Sequence, residues 1–319
     1  MGKQASWFWL VWVFGSVFTS GALANSLVDV FEVKGPPKVV VFEPHRRELS
    51  WLPVKVHRLV FVSSTKTPVA NNNLVPCLYF QPIWKRSDAG VILLSWWKSK
   101  TTKKIAQIGT MLASSGINVL FVPLAYQYER SPKGVGSGNW TVSGNLPRTQ
   151  QALIQSVKDI RLAATWLLSQ GIDSKKLGIM GISLGGFLAA LSYGVDRRFR
   201  AGAIILAGGN YRKMVEFHAS RLPEISKLER GNFTQKDIDR MLRLLDPITY
   251  ADRRRGKGLL IVNGLFDMIV PYSCGRSLYR AYGREADFVS LPCGHYTAVA
   301  FLPYILGKVI WHFRKHFRD

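Results

Sequence analysis

Short apolar runs recur along most of the chain, separated by polar, turn-rich segments. In the first part, three of them follow one another with no helical pattern between them: Val39 to Phe42, Leu59 to Ser63 and Leu74 to Phe80. Each is rich in β-branched or aromatic residues, which favour extended backbone. The pattern predicts an antiparallel start to a sheet.

From residue 89 onward, apolar runs alternate with stretches of helical periodicity. The predicted strands are Val91 to Leu94, Val119 to Leu124, Leu177 to Met180, Ala203 to Leu206, Leu259 to Val262 and Phe288 to Leu291. The predicted helices are Thr102 to Ser115, Pro147 to Gln170, Phe187 to Leu191 and Ala298 to Phe317. Short, continuously apolar strands between helices indicate a mostly parallel sheet covered on both faces. The predicted fold class is therefore α/β.

The segment 210–252 has charged residues and only patchy apolar periodicity. It is consistent with a small helical cap over one edge of the sheet. An ordinary crossover helix with a surface excursion explains it equally well.

The first residues are typical of an export signal. Lys3 is the only charged residue before Asp29, and an apolar stretch follows it. Ala22-Leu23-Ala24 fits a signal-peptidase site, with cleavage before Asn25. The expected organisation is a signal peptide at 1–24, a strand-rich segment at 25–88 and the α/β core at 89–319, in a secreted or periplasmic protein. An uncleaved N-terminal membrane anchor is the alternative.

The 319-residue chain is 47% hydrophobic, and lysine plus arginine exceed the acidic residues by 23. Such a charge favours contact with an anionic membrane or polysaccharide, although a solvated basic surface also explains it. The basic residues are scattered and form no nucleic-acid motif, so nucleic acid is not an expected partner. Buried free thiols are expected for Cys77, Cys274 and Cys293, with a Cys274–Cys293 bridge as the alternative. The oligomeric state is left open.

A glycine-flanked serine carries the strongest chemical signal. Gly181-Ile182-Ser183-Leu184-Gly185-Gly186 follows a predicted strand and opens into an apolar helix. A nucleophilic serine held on a sharp strand-to-helix turn needs small residues on either side of it. The helix N-terminus then directs amide hydrogens at the site. Ser183 is therefore the predicted nucleophile.

A serine hydroxyl needs a base, and the base needs an orienting carboxylate. Asp267 follows the run Leu259 to Gly264, and His295 follows the run Phe288 to Leu291. All three groups thus come just after the carboxyl ends of predicted strands, where sites in open α/β sheets assemble. The chain order of serine, acid and histidine is also the expected one.

Other histidines and acids are weaker candidates for these roles. The histidines predicted to be surface or half-buried are His45, His57, His312 and His316. The acids explained by turn formation are Asp246 and Asp252. Asp159 and Arg161, within a predicted helix, are interpreted as an exposed ion pair or a tether between helix and loop.

The oxyanion of an acyl-transfer reaction would be held by backbone amides. The first predicted donor is Leu184, directly after the nucleophile. The second comes from the loop after Val91 to Leu94, with Trp96 as the candidate and Trp97 as its substitute. Trp97 and His218 are also candidate substrate contacts, although core packing is an equal explanation for the tryptophan pair.

These motifs together resemble the α/β-hydrolase superfamily, in particular its dienelactone-hydrolase, acetyl-xylan-esterase and prolyl-oligopeptidase-like branch. The segments that carry the resemblance are Asp159 to Leu167, Gly181 to Gly186, Asn263 to Pro271 and Gly294-His295. The resemblance covers roughly residues 58 to 317 and implies a serine hydrolase. The Ser95-Trp96-Trp97 segment departs from the usual oxyanion-loop pattern, and residues 25–88 are too few for a propeller domain.

The expected activity is that of a carboxylesterase acting on a small or medium ester. No metal or organic cofactor is expected, because the sequence has no H-E-x-x-H motif, C-x-x-C pair or Walker P-loop. An acyltransferase or a peptidase with the same triad is the alternative, since the fold does not choose the acceptor. A non-catalytic protein bound to an anionic envelope is the alternative from a different class.

Overall fold

The structure, a computed structural model, describes residues 26–46, 51–84, 87–219, 233–254, 258–283 and 285–318. The predicted signal peptide lies outside these residues, so export stays a prediction. Part of the possible cap, 220–232, also lies outside them. Within the described ranges, no helix combines the length and the apolar character needed to cross a bilayer.

In the described part of the chain, nine strands form one sheet. Their bounds are β1 Val39–Pro44, β2 Val54–Val62, β3 Leu74–Pro82, β4 Gly90–Leu94, β5 Asn118–Phe121, β6 Leu177–Ile182, β7 Ala201–Ile205, β8 Leu259–Gly264 and β9 Asp287–Leu291. The spatial order is β1-β2-β3-β5-β4-β6-β7-β8-β9. The first three strands pair antiparallel with their neighbours, and all pairs from β5 to β9 are parallel. The predicted antiparallel start and parallel core are both confirmed.

Seven α-helices whose two ends both lie among the described residues cover the two faces of the sheet. They are α1 Lys103–Ser114, α2 Leu146–Ser169, α3 Leu184–Val195, α4 Tyr211–Ala219, α5 Gln235–Leu245, α6 Tyr272–Tyr282 and α7 Leu302–His316. Short 3₁₀ helices lie at Asp29–Phe31, Ala70–Asn73, Tyr128–Arg130, Ser174–Lys176, Pro247–Arg254 and Thr297–Phe301. The apolar side chains of α1 and α7 pack on one face, and those of α2, α3, α5 and α6 on the other.

Local chemistry explains where the main helices begin. The side chain of Asn145 accepts a hydrogen bond from the amide of Arg148, and Pro147 occupies the first turn of α2. A proline also lies in the first turn of α7, so the predicted helix from Ala298 starts as a 3₁₀ turn and becomes α-helical at Leu302. Helix α6 was not predicted from the sequence.

Buried polar groups correct one sequence interpretation. Asp159 is fully buried and pairs with Arg130 at 2.7 Å, so it does not form an exposed pair with Arg161. Arg161 instead contacts Glu32 at 3.0 Å. Residues two positions apart on a helix point in different directions, which is why the two side chains do not meet. The predicted tether between helix and loop does exist, through Arg130.

The three cysteines are buried free thiols, as the default interpretation expected. Burial raises the pKa of Cys293 and raises that of Cys274 to about 11. Both thiols are therefore protonated at neutral pH.

Candidate active site

Ser183 lies on a strained turn between β6 and α3. Its backbone adopts φ 54° and ψ −120°, a conformation that non-glycine residues seldom take. Neighbouring glycines make the turn sterically possible, since a Cβ on Gly181 would lie 2.0 Å from the carbonyl oxygen of Gly185. The turn is anchored by the amide of Ser183, which donates to the carbonyl of Ile205 at 2.9 Å. The local sequence therefore lifts this hydroxyl to the carboxyl edge of the sheet.

Asp267 follows β8 and is buried. Its Oδ1 accepts hydrogen bonds from the amides of Ile269 and Val270, both at 2.8 Å. Its Oδ2 lies 2.7 Å from Nδ1 of His295. Amide donors on one oxygen fix the carboxylate in place and leave the other oxygen for the histidine.

His295 lies between the serine and the acid. Its Nε2 is 2.9 Å from Oγ of Ser183, and its Nδ1 faces the Asp267 carboxylate. A carboxylate can only accept, so Nδ1 carries the hydrogen and Nε2 offers its lone pair to the serine hydroxyl. The three predicted residues are thus brought together in hydrogen-bonding order.

The loops that carry Asp267 and His295 are joined by backbone hydrogen bonds. The amide of Leu265 donates to the carbonyl of Leu291 at 2.9 Å, and that of Phe266 donates to Cys293 at 3.0 Å. Gly264 allows this approach, because a Cβ there would meet the Cys293 oxygen at 2.4 Å. The separation of acid and base is therefore set by the ends of β8 and β9.

The two predicted oxyanion donors lie beside the nucleophile turn. Leu184 is the first residue of α3, where an amide has no partner within the helix. Gly185 packs against the end of β4, and a Cβ there would meet the Ser95 oxygen at 2.5 Å. The peptide that leads into Trp96 is therefore adjacent to the turn.

A hydrogen-bond network that the sequence analysis missed holds this peptide. Nε2 of Gln127 donates to the carbonyl of Trp96 at 3.0 Å, and the hydroxyl of Tyr128 donates to Oγ of Ser95 at 2.9 Å. Burial raises the pKa of Tyr128, so its hydroxyl remains a donor at neutral pH. Both residues follow β5, and only the parallel pairing of β4 with β5 brings them here.

Trp97 and His218, the candidate substrate contacts, are both tied to loops at the same edge. The indole Nε1 of Trp97 donates to the carbonyl of Gly138 at 2.8 Å, and Trp97 is 39% exposed. His218, on α4, hydrogen-bonds the carbonyl of Ile269 at 2.8 Å. The helix in the possible cap therefore touches the loop that carries Asp267.

The competing acid and histidines lie in other surroundings. The carboxylate of Asp246 accepts from the amide of Ile248 in its own turn, as the turn interpretation expected. It also accepts from the amides of Asn210 and Tyr211 at the start of α4. His45 and His57 belong to the β1–β2 edge, far along the sheet order from β6. The prediction of a surface or half-buried side chain is wrong for His312, which is only 1% exposed. It faces the sheet from α7, which is why its ring is covered.

Exposed apolar side chains surround the acid and the base. This apolar rim has exposures from 41% to 79% and consists of Leu265, Phe266, Met268, Ile269, Tyr296 and Val299. Each is adjacent, or nearly so, to Asp267 or His295 in the chain. So many large apolar groups in water at one place are typical of a binding surface.

Comparisons with known proteins agree with this architecture. Residues 149–287 match the model of the prolyl oligopeptidase family. An acetyl xylan esterase from a Paenibacillus species is similar with a TM-score of 0.63 and 18% identity, over 89% of this chain and 92% of that chain. Acetyl xylan esterase 1 from a Thermoanaerobacterium species gives 0.63 and 17%, over 90% and 93%. An esterase of Pyrococcus furiosus gives 0.59 and 16%, over 90% and 98%.

A comparison with curated sequences gave no significant match. The structural likeness shows the α/β-hydrolase fold, which is the fold that the sequence resemblance implied. The family match and the esterase neighbours together support a hydrolase.

Proposed function

We propose that the protein is a serine carboxylesterase. Ser183 attacks the carbonyl carbon of an ester while Nε2 of His295 takes the hydroxyl proton. Asp267 holds the imidazole in the required tautomer and stabilises the imidazolium. The proton then passes to the leaving alcohol, and water cleaves the acyl-enzyme with His295 again as the base.

One observation carries the proposal. An unbroken path runs from Ser183 Oγ to His295 Nε2 at 2.9 Å, and from His295 Nδ1 to Asp267 Oδ2 at 2.7 Å. The path starts on a strained turn at a helix N-terminus, where the amide of Leu184 has no partner within the helix. Leu184 and Trp96 would then supply the amides that receive the oxyanion. A serine placed for packing alone needs neither the strain nor the aligned base.

The apolar rim favours an ester with an apolar acyl or alcohol group. Contact with exposed rings and aliphatic chains gains about 25 cal/mol for each Å² of apolar surface covered. Phe266, which is 67% exposed, is the largest ring of the rim beside the acid. Phe266→Ala is therefore expected to raise KM for p-nitrophenyl butyrate more than for the acetate, with similar kcat.

The test of the proposal combines covalent labelling with turnover. The chain from Asn25 onward is treated with a fluorescent fluorophosphonate, and hydrolysis of p-nitrophenyl acetate and butyrate is followed in parallel. Ser183→Ala is expected to abolish labelling and turnover. Ser114→Ala is the matched control and keeps both, because the hydroxyl of Ser114, at the end of α1, donates to the carbonyl of Met111 in the same helix. A folded wild-type protein that neither reacts with the fluorophosphonate nor hydrolyses either ester would contradict the esterase proposal and favour a non-catalytic binding role.

A peptidase is the second candidate, favoured by the match of residues 149–287 to the prolyl oligopeptidase family. The same acyl-enzyme forms from an amide when His295 protonates the leaving amine. Ester and anilide substrates with a common acyl group separate the two functions. A kcat/KM for the ester at least about 10³-fold above that for the anilide supports the esterase, whereas comparable values support the peptidase.

A further inference from the structure

Three metal-ligating side chains meet at the edge of the sheet opposite the triad. His312 and His316 are one helical turn apart on α7, and Asp287 begins β9. Their ligand atoms all lie within 4.8 Å of one another. Asp267 and His295 follow the carboxyl ends of β8 and β9, whereas this cluster is at their amino ends. It takes no part in the proposed hydrolysis.

The tautomer of His312 is set by its backbone contact. Nε2 of this ring lies 3.1 Å from the carbonyl oxygen of Gly258, which can only accept, so Nε2 carries the hydrogen. Nδ1 is buried, and among the residues that the structure describes it has no partner within hydrogen-bonding geometry. The Oδ2 atom of Asp287 lies 3.4 Å from it. A lone pair facing a carboxylate at this distance is unfavourable unless a proton on Nδ1 or a metal cation lies between them.

His316 completes the cluster from the same helix. Its ring centroid is 4.6 Å from that of His312. The ammonium of Lys315 points away, over the ring of Trp311. Both rings lie close enough to offer a nitrogen to one ion, because the ligand atoms of the cluster lie within 4.8 Å of one another.

We propose that His312, His316 and Asp287 bind a Zn²⁺ ion, with water as the fourth ligand. Zinc takes imidazole nitrogen and carboxylate oxygen at about 2.0–2.2 Å in a tetrahedral arrangement, which places neighbouring ligand atoms about 3.3 Å apart. The His312–Asp287 distance of 3.4 Å already matches that edge. The hydrogen bond from Nε2 of His312 to Gly258 is the outer contact that zinc-binding histidines commonly make.

Asp287 leaves room for the water ligand, since its side chain is 42% exposed. Two nitrogen ligands select zinc over Mg²⁺ and Ca²⁺, which prefer oxygen. The ion would join the C-terminal helix to the edge strand of the sheet. Its role is therefore structural, and it adds a cross-link between α7 and β9.

The test uses the full chain, free of affinity tags and stripped with EDTA. Titration with ZnCl₂ alone is followed by calorimetry and by thermal unfolding, with MgCl₂ in parallel. One Zn²⁺ per chain is expected, with a higher Tm that Mg²⁺ does not reproduce. His316→Ala and Asp287→Asn are expected to weaken zinc binding at least about tenfold and to remove the rise in Tm. His45→Ala is the control, because this exposed histidine directly follows β1, the strand at the other edge of the sheet.

Ester hydrolysis separates this site from the triad. Zinc bound at the α7–β9 cluster leaves turnover of p-nitrophenyl acetate unchanged, whereas zinc on His295 would inhibit it. Equal stabilisation of wild type, His316→Ala and Asp287→Asn by zinc would overturn the proposal. Failure of the wild-type protein to bind one Zn²⁺ per chain would also overturn the proposal. It would mean that a proton on Nδ1 of His312, and not a metal ion, compensates the negative charge of the Asp287 carboxylate.

Discussion

Single residues at the carboxyl edge of the sheet carry the strain that the site needs. Among the described non-glycine residues, positive φ occurs at Lys98, Tyr126, Tyr128, Ser183, Leu206 and Asn210. All six lie in segments that follow β4, β5, β6 or β7. Each such conformation costs about 1–3 kcal/mol and persists only where surrounding contacts enforce it. The strain is thus concentrated around Ser183, the predicted nucleophile.

Replacing Asp267 by Asn is expected to lower kcat roughly 10³- to 10⁴-fold, because an amide can donate to Nδ1 and favour the wrong imidazole tautomer. The side chains are nearly the same size, so the fold is kept. The measurement is kcat for p-nitrophenyl acetate, with circular dichroism as the check on folding.

Asp246→Asn is the matched control for this prediction, since Asp246 bonds backbone amides at the start of α4. Its kcat is expected to stay within a few-fold of wild type. An equal loss in both variants would mean that Asp267 is not the orienting acid.

The triad could be predicted from sequence because each member follows an apolar run whose end marks the sheet edge. Gln127 and Tyr128 could not, because their contacts with Ser95 and Trp96 depend on which strands become neighbours. Nothing local to Gln127 distinguishes it from a surface glutamine. The same limit explains Asp159, whose partner Arg130 is 29 positions away in the chain.

At the scale of elements, a buried ion pair fastens the loop after β5 to α2. Arg130 and Asp159 have no exposed side-chain surface. The Arg130 guanidinium also donates to the carbonyls of Pro123 and Asn72, and Asp159 accepts from the hydroxyl of Ser63. This ion pair and its hydrogen bonds therefore fix the position of the loop that carries Gln127 and Tyr128.

Removal of one partner of this pair should be costly. Arg130→Met is expected to lower the free energy of unfolding by about 3–5 kcal/mol, because it leaves the Asp159 carboxylate buried without a counter-charge. Urea unfolding measures the change. The double variant Arg130→Met/Asp159→Leu should lose clearly less than the two single losses added together. Simple additivity would contradict a direct coupling between the two groups.

A second tie joins the end of α3 to α2 and responds to pH. Burial raises the pKa of Asp196, but hydrogen bonds and charge from Arg198 outweigh it and hold the pKa below the usual value. Arg198 also donates to Thr165 and to the carbonyl of Arg161. A lowered folded pKa adds stability above the unfolded value of about 3.9, and this stability is lost as pH falls through the folded pKa.

Asp196→Asn is therefore expected to lower the free energy of unfolding by about 1–2 kcal/mol at pH 7, the scale of a hydrogen bond to a charged group. The gap between variant and wild type should narrow below about pH 4, as the wild-type carboxyl takes up its proton. Urea unfolding between pH 7 and pH 3 measures it. A difference in unfolding free energy between variant and wild type that stays constant over this pH range would show that the Asp196 carboxylate charge does not cause the stabilisation.

Strands and helices could be predicted from the sequence where their apolar pattern was continuous. Strands β4, β6, β7 and β8 are buried at almost every position, so the sequence shows them as unbroken apolar runs. Helix α6 buries only Cys274, Gly275, Leu278 and Tyr282, and arginines on its outer face interrupt the apolar pattern. Its existence follows from the parallel pairing of β8 with β9, which requires a crossover.

At the scale of the whole molecule, the order of strands and helices was enough to predict an α/β sheet with its site at the carboxyl edge. The net positive charge was also evident from the sequence, but its effect on binding depends on the ionic strength and on the surfaces that the protein meets. Removal of Lys3 with the predicted signal peptide would leave an excess of 22 positive charges. A charge of this size raises the local concentration of anionic partners at low ionic strength.

The chain from Asn25 onward is therefore expected to co-sediment with vesicles of phosphatidylglycerol mixed with phosphatidylcholine, and not with phosphatidylcholine alone. Binding should weaken steeply between 0.05 and 0.5 M NaCl, because the screening length falls from about 10 Å at 0.1 M to about 3 Å at 1 M. Ser183→Ala should bind equally well, since the contact depends on surface charge and not on the triad. Binding to neutral vesicles that survives high salt would assign the contact to the apolar rim instead. In that case the vesicle-bound protein would present the apolar rim, together with Asp267 and His295, directly to esters in the membrane.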